Sequence, residues 1–432
     1  MERNYTLSKE QKIATDFAIA SKYSILALDV GVGKTLASLH AAFNGGGTKV
    51  LVVVPTFLAI QWKTEIKKFF PNKILTMMTN ARDYHEPWGT DVVIATYNYI
   101  DKGELLFEWA DTVICDECHN LKNISSKRGE AIHRLVYEYS MPRVILLSGT
   151  LLENRVLELH SPLSLMEYNP RIHESSFLKK FPTALDFALH FSFVEEFEFY
   201  KGGKKRVQRK FKGVKNKEEL HKILRKHMIV IKNSGLGIDS IDVPVLISDT
   251  EDKGLIEEFN NFLLDEDNHR VDVTRKVMSA MAKVKLTADY AKNLNVFGDR
   301  PIIIFTDHVD SAKELALLLD VTPITGTTPV NARTTLVNKF NDGDVDYLVA
   351  TYGALGTGYN LQACCGDMIF NDPPWKNSTL IQAKGRIYRK GQTKRCVFHH
   401  IYGSPQDKYI SEIINEKRDT NDQAVNELAI KN

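Results

Sequence analysis

The sequence has few cysteines and no long apolar run, so it has the composition of an ordinary globular protein. Only five of its 432 residues are cysteines, too few and too irregularly placed for a disulfide framework, which favours a reducing interior. Cys115 and Cys118 have metal-ligand spacing, but without a second such pair zinc is not expected. No apolar leader begins the chain, and no later run approaches the roughly 18 apolar residues of a membrane span. We therefore expect an intracellular, cytoplasmic protein with no membrane partner.

An excess of charge of one sign is also missing. The chain has 56 lysines and arginines against 54 aspartates and glutamates, a net charge of +2. This balance would not hold a polyanion by itself, so a nucleic-acid partner would need a locally basic surface. Residues 201–217 offer one, with nine lysines or arginines and no acidic residue.

Short apolar runs of strand length alternate with amphipathic segments in two parts of the chain. This alternation predicts an α/β protein with two lobes, each a parallel sheet flanked by helices. We place lobe 1 at residues 1–235, including a mainly helical insertion that carries a basic hairpin at about 197–213, and lobe 2 at residues 236–432. The strand-like runs are 23–30, 50–55, 91–97, 111–116, 143–148, 301–306, 347–351 and 368–371.

A glycine-rich loop follows the first of these runs. Gly31, Gly33, Lys34 and Thr35 stand between a strand and a helical segment, which is the order that phosphate binding needs. Lys34 would reach the β- and γ-phosphates of ATP, and Thr35 would ligate Mg²⁺. The first glycine of the usual phosphate-loop pattern is replaced by Leu28. The sequence therefore predicts a site for ATP and Mg²⁺.

Two acidic residues end another buried strand of the same lobe. Asp116 and Glu117 follow the apolar residues 112–115, where carboxylates are costly unless they hold a cation or do chemistry. Asp116 would complete the Mg²⁺ shell. Glu117 would orient or deprotonate the attacking water.

The second lobe lacks a phosphate loop and needs another task. Gln382 and Arg386 are four residues apart and Arg386 and Arg389 three apart, which puts them on one face of a helix. These guanidinium groups could clamp the γ-phosphate of ATP held by lobe 1 when the lobes close. The alternative is a pair of solvated arginines.

With these motifs in this order, the chain resembles a superfamily 2 helicase, and more narrowly a Swi/Snf-type double-stranded DNA translocase. Departures from that family's pattern are Leu355, where it usually has glycine, and Cys118, where it usually has alanine. The resemblance implies two tandem RecA-like lobes, ATP and Mg²⁺ as cofactors, and DNA as the partner. It rests on residues 29–35, 52–62, 91–97, 116–123, 147–154, 302–306, 351–361, 372–375 and 382–392.

The resemblance also implies roles for single residues. Gln11 stands where the family reads adenine. Residues in motifs that couple hydrolysis to movement are His119, Ser148, Gly149 and Thr150. Positions that contact the tracked DNA strand in the family are Thr56, Thr96 and Thr351, and Trp375 is either a core residue or a base-adjacent aromatic.

The middle of the chain, at 213–230, is most similar to the fork-remodelling, annealing-helicase branch. This implies action on branched, forked or duplex DNA in replication, recombination or repair, by a monomer with replication or recombination proteins as possible partners. The chain is close to a bare motor, as in enzymes encoded by bacteriophages. Two alternatives stay open: an RNA helicase, which the D-E-C-H of 116–119 would also suit, and an ATP-controlled DNA clamp or scaffold without strand displacement.

The basic block has the pattern of a β-hairpin. Aromatic residues precede a pair of glycines at 202–203, which suits a tight turn. The alternative is a solvated loop. The aromatics Phe199, Tyr200 and Phe211 could anchor the hairpin or stack on unpaired bases, and anchoring is favoured. Residues expected to contact DNA at a junction are Lys204, Lys205 and Arg206.

Overall fold

The structure, a computed structural model, is built from strands that alternate with helices along the chain. It describes residues 6–29, 31–80, 82–83, 85–169, 174–201, 204–232, 239–246, 269–298, 300–355, 359–389, 391–403 and 405–430. The strands are β1 Tyr23–Leu28, β2 Val50–Val54, β3 Leu75–Met78, β4 Val92–Thr96, β5 Thr112–Cys115, β6 Arg143–Ser148, β7 Tyr168–Asn169, β8 Glu174–Ser175, β9 Phe193–Lys201, β10 Lys204–Lys212, β11 Met228–Ile231, β12 Ser240–Leu246, β13 Ile302–Thr306, β14 Tyr347–Thr351, β15 Asp367–Phe370 and β16 Cys396–Tyr402.

The helices connect and cover these strands. They are α1 Lys9–Ala20, α2 Lys34–Asn44, α3 Ala59–Phe69, α4 Glu104–Trp109, α5 Lys127–Tyr137, α6 His160–Met166, α7 Ser176–Lys180, α8 Ala184–Phe191, α9 Lys217–His227, α10 His269–Ala282, α11 Val284–Gly298, α12 Val309–Leu318, α13 Val330–Asp342, α14 Tyr352–Leu355, α15 Asn377–Lys384 and α16 Pro405–Ala424. Among the described residues, no helix combines the length and the apolar character that crossing a membrane requires.

Lobe 1 is centred on a seven-stranded parallel sheet with the order β11-β1-β6-β5-β2-β4-β3. Its strands are almost wholly apolar because helices cover both faces. Alternate residues of β2 accordingly enter two different cores: Leu51 and Val53 lie in one, and Val50, Val52 and Val54 in the other. The insertion α6–α9 continues the first of these cores through Leu163, Phe187 and Leu220, among others.

Lobe 2 repeats this construction with a five-stranded parallel sheet of order β12-β16-β15-β13-β14. Ile303 and Phe305 of β13 enter one core, while Ile302 and Ile304 enter the other. The predicted architecture of two RecA-like lobes is thus confirmed. Among the strands of the two main sheets, the sequence prediction lacks β3, β11, β12 and β16. It gives the ends of the other main-sheet strands to within two residues.

The end of the chain departs from the predicted domain layout. The compact units are Met1–Ser234 with Glu416–Asn432, and Gly235–Asn415, so residues 416–432 belong with lobe 1 rather than lobe 2. Local contacts explain this placement. The ring of His221 bonds the carbonyl oxygen of Gln423 (2.8 Å), and the N–H of Ile430 donates to the carbonyl of Val230 (3.0 Å).

Candidate nucleotide site and nucleic-acid contacts

The candidate site of lobe 1 lies at the carboxyl ends of four neighbouring parallel strands. The glycine loop follows β1, the segment 149–150 follows β6, Asp116 follows β5, and Thr56 lies two residues after β2. Because the carboxyl ends of parallel strands share one edge of a sheet, the topology brings these segments together. Ligands of open α/β sheets bind at such an edge.

The glycine loop has the backbone conformation that only glycine adopts readily. Gly31 and Gly33 have φ angles of 89° and 93°, and a Cβ on Gly33 would come within 2.2 Å of the Gln11 side-chain nitrogen. That nitrogen donates to the carbonyl of Val32 (3.0 Å), so Gln11 braces the loop from α1. Lys34 begins α2, and its ammonium donates to the carbonyl of Leu28 (3.1 Å).

Asp116 is held by several neighbours at the end of β5. Its side chain accepts hydrogen bonds from the Trp62 indole (2.8 Å) and the Glu117 N–H (2.9 Å), and its carbonyl accepts one from the Tyr97 hydroxyl (2.8 Å). Burial raises the pKa of the Asp116 carboxyl, and the charge of Glu117 raises it further. Lys34 and the Trp62 hydrogen bond act in the opposite direction without reversing the shift.

Glu117 begins a chain of neighbouring polar side chains. Its backbone is left-handed (φ 49°), a conformation that costs energy in a non-glycine residue and is common at functional sites. Its carboxylate lies 3.3 Å from Nδ1 of His119, whose Nε2 is 3.9 Å from the Glu153 carboxylate. Glu153 is buried and pairs with Lys122 (2.5 Å). The chain links the predicted water-orienting residue to the motif that follows β6.

The remaining coupling residues lie at the end of β6. Ser148 is fully buried, and its hydroxyl accepts a hydrogen bond from the N–H of Thr150 (3.1 Å), which closes a turn around Gly149. Among the described residues, the buried Thr150 hydroxyl has no hydrogen-bond partner. The turn therefore presents a free polar group close to the candidate site.

The donor set of the site suits a magnesium nucleotide. Thr35 offers a hydroxyl and Asp116 a carboxylate, and hard oxygen ligands are those that Mg²⁺ prefers. Within the described residues, the hydrogen-bond donors to the Asp116 side chain are neutral. A bound cation would therefore favour the charged form of a carboxylate that burial disfavours.

The arginines of lobe 2 are not placed as the sequence predicted. Helix α15 ends at Lys384, so Gln382 lies on it whereas Arg386 and Arg389 follow it and do not share a helix face. Arg386 is 8% exposed and donates to the carbonyls of Gln382 and Tyr359 (both 3.2 Å), which makes it a residue that holds the fold. Arg389 is partly exposed and bonds the side chain of Asn360.

Two of the predicted DNA-contacting threonines are buried. Thr96 is the last residue of β4 and Thr351 the last of β14, at 0% and 7% exposure, and a DNA contact at these two positions stays a prediction. Thr56 is exposed and accepts a hydrogen bond from Asn98 (3.3 Å). Trp375 is partly buried, with the ammonium of Lys276 5.2 Å from its ring centre.

The basic block forms an antiparallel hairpin of β9 and β10, longer than predicted. The glycine pair 202–203 and the side chains of Phe199 and Lys204 lie outside the described residues. Acidic residues of β9, which the prediction overlooked, pair with the cations of β10. The pairs are Lys205 with Glu198 (2.7 Å), Arg209 with Glu196 (2.8 Å) and Lys212 with Glu195 (3.0 Å). Arg206 is exposed.

Two residues of the site have no role in the sequence prediction. Trp62 only ends the motif at 52–62 there, yet its indole nitrogen bonds Asp116. Glu153 was only part of a motif, although it joins Lys122 to His119. Two signals in the sequence could have identified these residues. Trp62 stands next to a glutamine, and Glu153 is a charged residue within an apolar turn.

The chain matches two known domain families. The SNF2-related domain matches residues 8–245, and the helicase conserved C-terminal domain matches residues 283–391. YwqA of Bacillus subtilis (strain 168) is 26% identical over 444 residues, which cover 93% of this chain and 46% of that protein. The DNA annealing helicase and endonuclease ZRANB3 of Mus musculus is 24% identical over 434 residues, with 93% and 39% covered.

A solved structure, the Sulfolobus solfataricus SWI2/SNF2 ATPase core in complex with dsDNA, aligns with 99% of this chain and 97% of its own at a TM-score of 0.45 and 20% identity. The chain spans less than half the length of the two curated relatives, 46% and 39%. The SNF2-related domain, by contrast, covers more than half of this chain. The chain therefore belongs to the SNF2-related family and is an ATP-hydrolysing helicase or translocase of the Swi/Snf type in superfamily 2.

Proposed function

We propose that the chain is an ATP- and Mg²⁺-dependent DNA translocase that remodels branched or forked DNA in replication, recombination or repair. The observation that most supports a branched DNA substrate is the hairpin of β9 and β10, whose strands pair with neither main sheet. Seven lysines or arginines and three glutamates lie within its residues 193–212, and this excess of positive charge favours a polyanion. The mouse relative, a DNA annealing helicase and endonuclease, supports the same proposal.

The residues of lobe 1 divide the chemistry among them. When bound, MgATP supplies the reactive phosphorus and the cation that the carboxylates attract. The loop at Gly31–Thr35 would hold the phosphates, to which Lys34 would donate in place of the carbonyl of Leu28, and Thr35 and Asp116 would hold the cation. Glu117 orients the attacking water and accepts its proton, and the neighbouring His119 transmits the state of the site toward Glu153. In lobe 2, Arg389 is the arginine to which we assign stabilisation of the charge that develops during hydrolysis.

The experiment is an ATPase assay over single-stranded, duplex, forked and four-way DNA and duplex RNA, with a branch-migration assay on the four-way substrate. Glu117→Gln serves as the inactive control. We expect stimulation by duplex DNA, stronger stimulation by forked DNA, and ATP-dependent strand exchange. Equal stimulation by duplex RNA would favour an RNA helicase. Nucleotide-controlled DNA binding without any strand exchange would favour a clamp or scaffold.

The hairpin provides a second measurement of the same proposal. Neutralising Lys204, Lys205 and Arg206 together should lower the slope of log affinity against log salt concentration by up to about three. Lys205 is already paired with Glu198, so restoring Lys205 in the variant should change the slope less than restoring Arg206. An unchanged slope with intact junction processing would leave the block a solvated surface.

A further inference from the structure

The β9–β10 hairpin has two faces of different chemistry. In its antiparallel register Phe193 lies opposite Lys212 and Phe197 opposite Gln208, and residues directly opposite each other share a face. We call this the phenylalanine face, positions 193, 195, 197, 199 and 201 with 204, 206, 208, 210 and 212. The paired face consists of positions 194, 196, 198 and 200 with 205, 207, 209 and 211.

The paired face is electrically neutral. Its two glutamates, Glu196 and Glu198, bond its two cations, Arg209 at 2.8 Å and Lys205 at 2.7 Å. On the phenylalanine face, the described cations are Arg206, Lys210 and Lys212, against the single carboxylate of Glu195. Positions 201 and 204, both lysines, lie on the same face by register. The surplus positive charge of the hairpin is therefore on one face.

Exposed rings accompany this charge. Phe193 and Phe197 are 60% and 51% exposed, whereas Val194 and Phe211, opposite each other on the paired face, are partly buried. The base of the hairpin is thus anchored through the paired face. Phe193 and Phe197 are four residues apart, about 13 Å along a strand, so the two rings are too far apart to stack on the same base and would contact separate bases.

We infer that the phenylalanine face binds single-stranded DNA, with Phe193 and Phe197 stacked on unpaired bases and Arg206 and Lys210 on neighbouring phosphates. The inference rests on the proposed function in that DNA is the substrate. In a duplex the base faces already stack on each other, so an exposed ring gains stacking only from unpaired bases. An apolar protein partner would instead bury Arg206 and Lys210 at a high desolvation cost. The binding site therefore suits the unpaired strand at a fork or junction.

The test compares two rings with a third on the opposite face. Phe193→Ala/Phe197→Ala removes the proposed stacking rings, and Tyr200→Ala removes a ring that is 75% exposed but lies on the paired face. Affinities for an oligothymidylate strand and for a blunt duplex are measured for each protein. In the double variant, the ratio of single-strand to duplex affinity should fall by about 30-fold or more, since two stacking contacts of about 1 to 3 kcal/mol each are lost. In Tyr200→Ala it should change less than about twofold.

A stacking signal separates rings on bases from a general loss of binding. An oligonucleotide with 2-aminopurine in place of one base should change its fluorescence when the wild-type protein binds, and this change should be lost in the double variant and retained in Phe197→Trp. An unchanged affinity ratio, or an equal effect of Tyr200→Ala, would overturn the inference and leave the face to a protein partner. Duplex-stimulated ATPase of the wild-type protein is read in parallel, since its absence would contradict the proposed function instead.

Discussion

The two lobes end corresponding strands in the same way. In lobe 1 the residue after β4 is Tyr97, whose hydroxyl donates to the carbonyl of Asp116 at 2.8 Å. In lobe 2 the residue after β14 is Tyr352, whose hydroxyl donates to the carbonyl of Asp372, also at 2.8 Å. Both tyrosines and both aspartates are buried. Each lobe therefore carries one buried carboxylate at the same kind of position.

The partners of the two carboxylates differ. Asp116 accepts hydrogen bonds from an indole and a backbone N–H, and its pKa is raised by burial and by Glu117. Asp372 bonds the hydroxyl of Thr306 and the N–H of Asp307, and Asp307 forms an ion pair with the buried Lys276. In lobe 2 a lysine thus pairs with the carboxylate next to Asp372, whereas among the described residues Asp116 forms no ion pair within 4 Å, so a bound cation would satisfy it. The partners of a buried carboxylate, rather than its position in the fold, therefore decide whether it can act as a ligand.

The largest expected effect is on hydrolysis in lobe 1. Lys34→Ala and Glu117→Gln should each leave no detectable turnover, by different routes. Lys34→Ala removes the charge that binds the phosphates and should weaken nucleotide binding. Glu117→Gln leaves the loop and Asp116 in place and should retain bound ATP. Steady-state ATPase and fluorescent-nucleotide binding check both, and normal turnover in Glu117→Gln would contradict the role of that carboxylate.

The second effect concerns the arginines of lobe 2. Arg389→Ala should lower kcat by roughly 10³-fold, the effect of removing an arginine finger, with ATP affinity within a few-fold. Arg386→Ala should instead reduce the stability of lobe 2, because its guanidinium bonds two backbone carbonyls. Nucleotide titration and thermal unfolding separate the two. Equal losses of affinity and turnover in Arg389→Ala would make that residue an ordinary phosphate ligand.

The third effect tests the internal cation of lobe 2. Lys276→Met should lower the free energy of unfolding of lobe 2 by up to about 1 kcal/mol, because Asp307 is exposed and water can solvate the carboxylate that the substitution leaves unpaired. Hydrogen exchange of the β13 and β15 amides measures this lobe alone. The matched variant in lobe 1, Asp116→Asn, should change stability by less than about 1 kcal/mol while it abolishes Mg²⁺-dependent hydrolysis. Unchanged exchange rates in Lys276→Met would show that this ion pair does not stabilise lobe 2.

The sequence was sufficient for the frame of the nucleotide site. A fully apolar strand such as Val50–Val54 can only be buried on both faces, which predicts a parallel sheet covered by helices. A glycine-rich segment with a strand before Gly31 and a helix after Lys34 allows few interpretations other than a phosphate loop. Local pattern and local chemistry agree at these residues, so the prediction needs no tertiary information.

Tertiary partners decided what the sequence left open or placed wrongly. Arg386 is buried because the carbonyl of Tyr359, 27 residues away, accepts its hydrogen bond. The acidic partners of the basic block lie on β9, before residues 201–217 that define the block. Strand β11 has only four residues and becomes recognisable through its pairing with β1. None of these partners can be read from spacing along the chain.

The smallest predicted effect concerns Glu167, a carboxylate of lobe 1 that has hydrogen-bond partners within the protein. The ring of His227 bonds it at 2.7 Å and the ammonium of Lys226 at 2.8 Å, and these partners lower the pKa of Glu167 to about 2. A depressed pKa contributes stability above the unfolded value near 4.5 that is lost as the pH falls toward 2.

Glu167→Gln should remove this pH dependence. Between about pH 5.5 and 3.5 the wild-type protein should lose about 1 kcal/mol more stability than the variant, since only part of the shift is titrated in that range. Urea unfolding at the two pH values measures the difference. Parallel losses in both proteins would show that these partners do not keep Glu167 ionised.

The raised pKa of Asp116 predicts a pH dependence of the opposite sign. Its carboxylate disfavours the folded state as the pH rises. In the absence of Mg²⁺, Asp116→Asn should therefore be more stable than the wild type at neutral pH.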